Sequence, residues 1–244
     1  WCVAIGYGRH ELADVAAQQM RELPYYNSFF GTAHPPVIKL AAQLKKLAPA
    51  HISHVFFTGS GSESNDTNVR LVRHYWQAKG QPKKRTIISR YNAYHGSTMA
   101  AMSLGGMKGM HDQGGIIDGI EHIMQPHWYH ETLAGESEED FGLRAAQALE
   151  TKILEVGADH VGAFIGEPVQ GAGAVIVPPT SYWPEIQRIC KKYDILLIAD
   201  EVITGFGRTG NWFASETLGI EADLMTIAKG LSSGYMPIGG VLIS

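Results

Sequence analysis

Cysteine is nearly absent. Cys2 and Cys190 are the only two, far apart in sequence, so no disulfide framework is implied and a reducing interior, the cytoplasm, is the expected setting. Strong charge of one sign is missing too. Charged residues make up 18% of the 244 and the formal net charge is −4. Nothing gathers into the basic stripe of a nucleic-acid surface, so no nucleic-acid partner is expected. No apolar run reaches the ~18 residues of a membrane span, and no secretory leader is visible; no membrane association is expected. The chain shows no internal repeat, low-complexity tract or clear linker. It begins at Trp1 and stops at Ser244, just after an apolar run, and both natural ends are expected to lie outside it.

What is present is an apolar fraction of 45%, ample for one large core or for one domain plus part of another. Helical patterning covers residues 11–23 and 36–47, each closed by a nearby proline. Val55-Phe56-Phe57 then feeds a glycine-rich turn at 58–63, followed by helical periodicity over 65–78. The alternation continues with expected strands at 86–88, 161–165, 195–199, 224–228 and 238–243, and helices at 139–156 and 182–193. Apolar strands alternating with helices call for an α/β fold, its mostly parallel sheet covered on both faces. Residues 105–119, rich in glycine and methionine, read as a long loop.

Three motifs carry chemistry. The first is the turn Gly59-Ser60-Gly61-Ser62. Small residues let backbone N–H groups approach an anion, and the helix that follows adds its positive end. The competing reading is an ordinary turn with Ser62 as helix cap. The second is the run 195–199 ending in Asp200-Glu201, an acid at the carboxyl end of a buried strand, where open α/β sheets place ligands. A Walker B strand looks similar but needs a partner loop containing Gly-Lys, and that dipeptide is absent from the chain. A helix cap or loop acid is the plainer alternative. The third is Lys229, directly after the run 224–228. Burial would favour its neutral amine and so Schiff-base chemistry; a lysine that merely extends to water is the alternative.

In this order a phosphate cradle, a strand-end acid and a strand-end lysine match the demands of one cofactor, pyridoxal 5′-phosphate (PLP), with its phosphate, ring nitrogen and aldehyde. The stretches 57–65, Tyr94-His95-Gly96, Gly166-Glu167-Pro168-Val169-Gln170-Gly171, Ala199-Asp200-Glu201-Val202, Gly205-Phe206-Gly207-Arg208-Thr209-Gly210 and Ala228-Lys229-Gly230-Leu231 resemble the class III aminotransferases of PLP fold type I. The likeness is greatest to the omega-aminotransferases that use pyruvate.

The resemblance implies a fold type I large domain over residues 35–244, with a mainly parallel seven-stranded sheet, and an N-terminal segment, 1–34, near a small domain. It implies that Lys229 binds the cofactor covalently and moves protons, and that Asp200 pairs with its ring nitrogen. Val202 and Tyr94 would flank the ring, Gln170 would bond its hydroxyl, and Gly61 and Ser62 would hold the phosphate. Trp1, Phe29 and Ala172 would line the substrate pocket, with Glu167 in a supporting role. The implied reaction is ping-pong transamination from a small-molecule amine or omega-amino acid to a keto acid, pyruvate foremost. An aminomutase or decarboxylase on the same scaffold, a nucleotide-binding module, and an inactive binding protein are the rivals.

The resemblance also implies a homodimer, and the methionines at 99, 102, 107 and 110 with Leu104 are expected at or near its interface. His122, His127 and His130 lie close in sequence without a zinc pattern and read as surface or loop histidines; no metal is expected. Cys190 reads as inert core.

Overall fold

Strands that are apolar on both sides must be covered on both sides. β4 (Val161–Gly166) is buried along its whole length, and β5 (Leu196–Asp200) and β6 (Leu224–Ile227) are nearly so. The structure, a computed structural model, describes residues 1–244. In chain order its other elements are α1 (His10–Glu22), α2 (Pro35–Leu47), β1 (His54–Thr58), α3 (Gly61–Ala78), β2 (Thr86–Arg90), α4 (Met99–Leu104), α5 (Lys108–His111), β3 (Ile120–Ile123), α6 (Trp128–Glu131), α7 (Glu138–Val156), α8 (Tyr182–Lys192), α9 (Ala214–Leu218), a 3-10 turn at Lys229–Leu231, and β7 (Gly239–Ile243).

One seven-stranded sheet runs β1-β7-β6-β5-β4-β2-β3. β7 is antiparallel to both its neighbours and the remaining pairs are parallel, so the mainly parallel α/β sheet expected from the sequence is what forms. Its two faces carry two cores. Phe164 of β4 points into one, with Phe141 and Leu149 of α7 and Trp183 and Ile186 of α8. Ala163 and Ile165 point into the other, with Val69, Val72 and Trp76 of α3. This alternation follows from the period of two along a strand. Each large apolar side chain so buried contributes about 1.5–3 kcal/mol.

Because β1, β2, β4, β5 and β6 share one direction, their carboxyl ends and the loops that follow all open on one edge of the sheet. That is where open α/β sheets bind ligands.

Four differences from the sequence reading have physical causes. β3 was not expected. It is a four-residue edge strand, Ile-Glu-His-Ile, half-covered at its two polar positions, and an edge strand needs no long apolar run. His122 accordingly belongs to a strand rather than a loop. It and His111 both donate from Nε2 to the Gly105 carbonyl, at 2.8 and 2.7 Å, and burial lowers the His122 pKa. The segment 105–119 is not loop throughout, since it contains α5. Finally, Met102 and Leu104 are buried within this chain as part of α4, which packs on α3. They belong to the core of this chain, while Met99 is exposed and Met107 and Met110 are half-buried.

Candidate active site

The loops at the sheet's carboxyl edge close around a cavity of about 320 Å³, within the size range of small-ligand sites. Asp200 enters it as the last residue of β5. Glu167 follows β4 directly, Tyr94 and His95 lie beyond β2, and Gly61 and Ser62 form the first turn of α3. Lys229 opens the 3-10 turn after β6. It is the only lysine or arginine on the cavity wall, and its φ of 35° is a left-handed backbone angle that a side-chain-bearing residue holds only at a cost.

Asp200 is fixed on all sides. His95 donates from Nδ1 to Oδ2 at 2.7 Å, Asn65 donates from Nδ2 to the same oxygen at 2.9 Å, and the Val202 amide donates to Oδ1 at 3.1 Å. Asn65 is held in turn: its Oδ1 accepts from Thr226 Oγ1 at 2.8 Å and from Asn68 Nδ2 at 3.1 Å. All five side chains or their carriers sit in the interior, with Asn65, Asn68, His95, Asp200 and Thr226 buried. A buried carboxylate is tolerated because its oxygens are paired with donors. The His95 Nε2, by contrast, is buried with no protein partner.

The α3 entry is a donor site. Glu63 N donates to the Ser60 side chain and Ser64 N to the Ser60 carbonyl, which leaves the first amides, those of Gly61 and Ser62, without intrahelical acceptors. A side chain at position 61 would press on Val202, since a Cβ there would lie 3.0 Å from Cγ2. Ser62 Oγ accepts from Ser97 N at 3.1 Å. Gly96 packs so tightly on Ser62 that a Cβ would stand 2.5 Å from that oxygen, and its φ is 136°. The Tyr94–Gly96 loop is thus docked on the α3 turn.

Glu167 ties two loops together. Its carboxylate accepts from Tyr94 N at 3.1 Å and from Gly171 N at 2.7 Å. Burial raises its pKa, and the nearby Asp200 adds to this. Arg90, fully buried behind it, donates to the Glu167 carbonyl at 2.6 Å. Glu201 points the other way, into the loop after β5, where it accepts from Thr204, Ala214 and Ser215. Burial raises its pKa as well.

Of the residues singled out in the sequence, Gly61, Ser62, Tyr94, Glu167, Asp200, Val202 and Lys229 surround the cavity. Gln170 does not. Its side chain is buried in the loop, where Nε2 donates to the Tyr91 carbonyl at 3.1 Å and Oε1 is left without a protein partner. Phe29 is 90% exposed and Ala172 is exposed; neither lines the cavity. Trp1 lies at its margin, beside Ile203 and Gly171.

The sequence reading had quoted His95 and Asn65 inside motifs without giving them roles. Their signal was available: each is a polar residue within a stretch that also supplies a cavity residue. Cys2 and Ile203 also line the cavity and carry no signal of their own. No His, Cys, Asp and Glu side chains converge in a group that could hold a metal ion. His127 and His130 simply stack, ring centroids 4.5 Å apart.

Comparison with known proteins agrees with this geometry. The family model for aminotransferase class III matches residues 1–244. The chain is 62% identical to a putrescine–pyruvate aminotransferase of Pseudomonas aeruginosa, covering 100% of this chain and 53% of that protein. It is 46% identical to a diaminobutyrate–2-oxoglutarate transaminase of Halomonas elongata, covering 100% and 52%. An omega transaminase of Pseudomonas jessenii, solved in complex with PMP, superposes with a TM-score of 0.98 at 50% identity, covering 100% of this chain and 54% of that one. The chain therefore spans about half the length of the curated relatives it matches.

Class III aminotransferases use PLP, and the cavity residues suit it. Free amides at a helix start suit a phosphate, a carboxylate fixed by three donors suits a protonated ring nitrogen, and a lysine stands at the edge. From the match along all its residues, this chain belongs to the class III aminotransferase family.

Proposed function

We propose that the full protein is a PLP-dependent transaminase that moves an amino group from an amine or omega-amino acid to a keto acid, with pyruvate as the acceptor, in two alternating half-reactions. The observation that carries this reading is the pairing of a lone lysine with a clamped, buried aspartate across one cavity, beside a helix start with unused amides. When bound, the cofactor supplies a carbonyl that takes up amino groups and a ring that accepts an electron pair.

The chain's own residues do the rest. Lys229 would hold the cofactor through its Nζ, and the same amine would serve as the base for the proton on the donor carbon that bears nitrogen. Asp200, held by hydrogen bonds from His95, Asn65 and the Val202 amide, would pair with the ring nitrogen. Gly61 and Ser62 bind the phosphate through backbone amides. Val202 and Tyr94 would flank the ring, and Glu167 fixes Tyr94 by its amide. Pyruvate as acceptor is supported by the relative at 62% identity.

Residues 35–244 are the large, cofactor-binding domain in this reading, and 1–34 pack with a small domain. That α1 buries none of its residues here supports the division. A homodimer is supported by Tyr25, Tyr26, Phe29 and Phe30, 74, 47, 90 and 87% exposed in this chain, an aromatic patch too large to suit water. Free thiols at Cys2 and Cys190 support a cytoplasmic location. No helix is long and apolar enough to cross a membrane.

The test is a donor panel on the full-length holoenzyme with pyruvate or 2-oxoglutarate. Alanine formed from a primary amine in step with consumption of pyruvate is the expected result. Release of carbon dioxide, or an amino group moved within one molecule, with no alanine formed, would reject it.

A further inference from the structure

The N-terminal segment runs beside the cavity. Cys2 lines it. The Trp1 ring stands against the Gly171 backbone, where a Cβ would lie 3.3 Å from Cζ3 and would collide with Ile203 Cδ1. Ile203 is itself a cavity residue. Cys2 and Ile203 therefore line the wall with Trp1 at its margin, and the Ile203 and Trp1 side chains occupy the space that a side chain on Gly171 would take.

The groups that hold the wall do not line the cavity. Arg208 donates from Nε to the Ile203 carbonyl at 2.7 Å and from Nη2 to the Trp1 carbonyl at 3.1 Å, so one guanidinium joins both wall residues. Ser233 Oγ accepts from Ile5 N at 3.1 Å; it is buried, at φ 54°, a left-handed angle kept only where the surroundings impose it. Tyr235 donates from its hydroxyl to the Gly6 carbonyl at 2.8 Å and accepts from Arg9 N at 3.1 Å. Ser233 and Tyr235 follow the Lys229–Leu231 turn on the way to β7, so the loop that carries the lysine and the loop after β5 together latch the segment.

We propose that Arg208 and Ser233 are specificity-determining positioning residues: by latching Trp1–Ile5 against Ile203 they fix the cavity wall and set how bulky an amine donor is accepted. The proposal rests on the transaminase reading above. Arg suits the role because its planar fork spans two carbonyls at once. A wall residue shifted by about an ångström alters discrimination between donors, since each methylene of fit is worth ~10–200-fold in specificity.

The experiment uses the full-length holoenzyme with pyruvate and two donors, isopropylamine and 1-phenylethylamine. The ratio of kcat/KM for the small donor to that for the bulky one is measured in the wild type, Arg208→Met, Ser233→Ala, Trp1→Ala and the Arg208→Met/Trp1→Ala double variant. Each single substitution should lower the ratio ~5–10-fold, the size expected from losing a charged or buried hydrogen bond that orders the wall. In the double variant the Arg208 change should add less than about twofold to the effect of Trp1→Ala, because coupled residues are non-additive. An unchanged ratio, or effects that multiply in the double variant, would overturn the proposal.

Amide hydrogen exchange over residues 2–9 gives a readout free of turnover. It should speed up in both Arg208→Met and Ser233→Ala, and unchanged exchange would also overturn the latch. A wild type that forms alanine from none of the donor panel above would reject the transaminase reading instead, while exchange still decides the latch.

Discussion

Asp200 takes three donors onto a carboxylate buried behind the cavity, and the charge is what matters. Asp200→Asn keeps the shape and removes the charge, so kcat of the full-length enzyme should fall at least ~100-fold, the scale of losing one preorganised electrostatic partner. Cofactor retention should suffer less. Near-normal kcat in steady-state assays would remove Asp200 from the mechanism. Its neighbour Glu201 makes a different prediction. Burial raises the Glu201 pKa, so the folded chain binds that proton more tightly than the unfolded chain. Its stabilising share is complete below the ordinary carboxylate range and is lost as pH rises through the raised folded value. Glu201→Gln should destabilise by about 1–3 kcal/mol by disturbing buried donors. Its deficit against the wild type should be largest at the acid end and narrow as pH rises above the ordinary carboxylate range; a difference in melting temperature that stays constant with pH would contradict the assignment. Asp200 and Lys229 were legible because each ends an apolar run. Gln170 sits just off the cavity lining, its Nε2 turned back to Tyr91 and its Oε1 unpartnered, a detail that no sequence pattern displays. His95 and Asn65 act through Asp200, at sequence separations of 105 and 135, which no local pattern displays.

At the scale of elements, the long amphipathic helices were legible within about two residues at most ends, since their periodicity is set by the core they cover. The exception is α3, which begins at Gly61, earlier than the apolar pattern starts. Its first turn is polar because it faces the cavity and is stabilised by Ser60 as N-cap rather than by burial. Short elements such as β3, α4 and α9 bury too little surface of their own to leave a period, and tertiary contact creates them. The same capping logic gives a test away from the site. Ser137 caps α7, accepting from Asp140 N at 3.1 Å. Ser137→Ala should cost about 1 kcal/mol of stability, read as a lower urea midpoint, with kcat unchanged. A midpoint that stays put would show that the acidic first turn of α7 caps it without the hydroxyl.

For the whole molecule, the α/β class and the parallel sheet were legible from the alternation of apolar strands with helices, whereas the packing of Met102 and Leu104 was not, because glycine-rich surroundings hide a buried helix. The exposed aromatics at residues 25–30 join the exposed Met99 of that segment as surface expected between subunits. The full-length holoenzyme should sediment as a dimer or larger at micromolar concentration, with an interface of ~2,000 Å² or more and resistance to dissociation raised by the cofactor; a fully active monomer would contradict this. The central claim is that the cavity between Asp200 and the α3 start holds PLP through Lys229. Borohydride reduction of the full-length, PLP-loaded protein, followed by peptide mass spectrometry, tests it most directly. The account predicts one phosphopyridoxyl adduct, on Lys229, and none in Lys229→Ala; an adduct on any other lysine, or no adduct on a yellow wild-type protein, would contradict it.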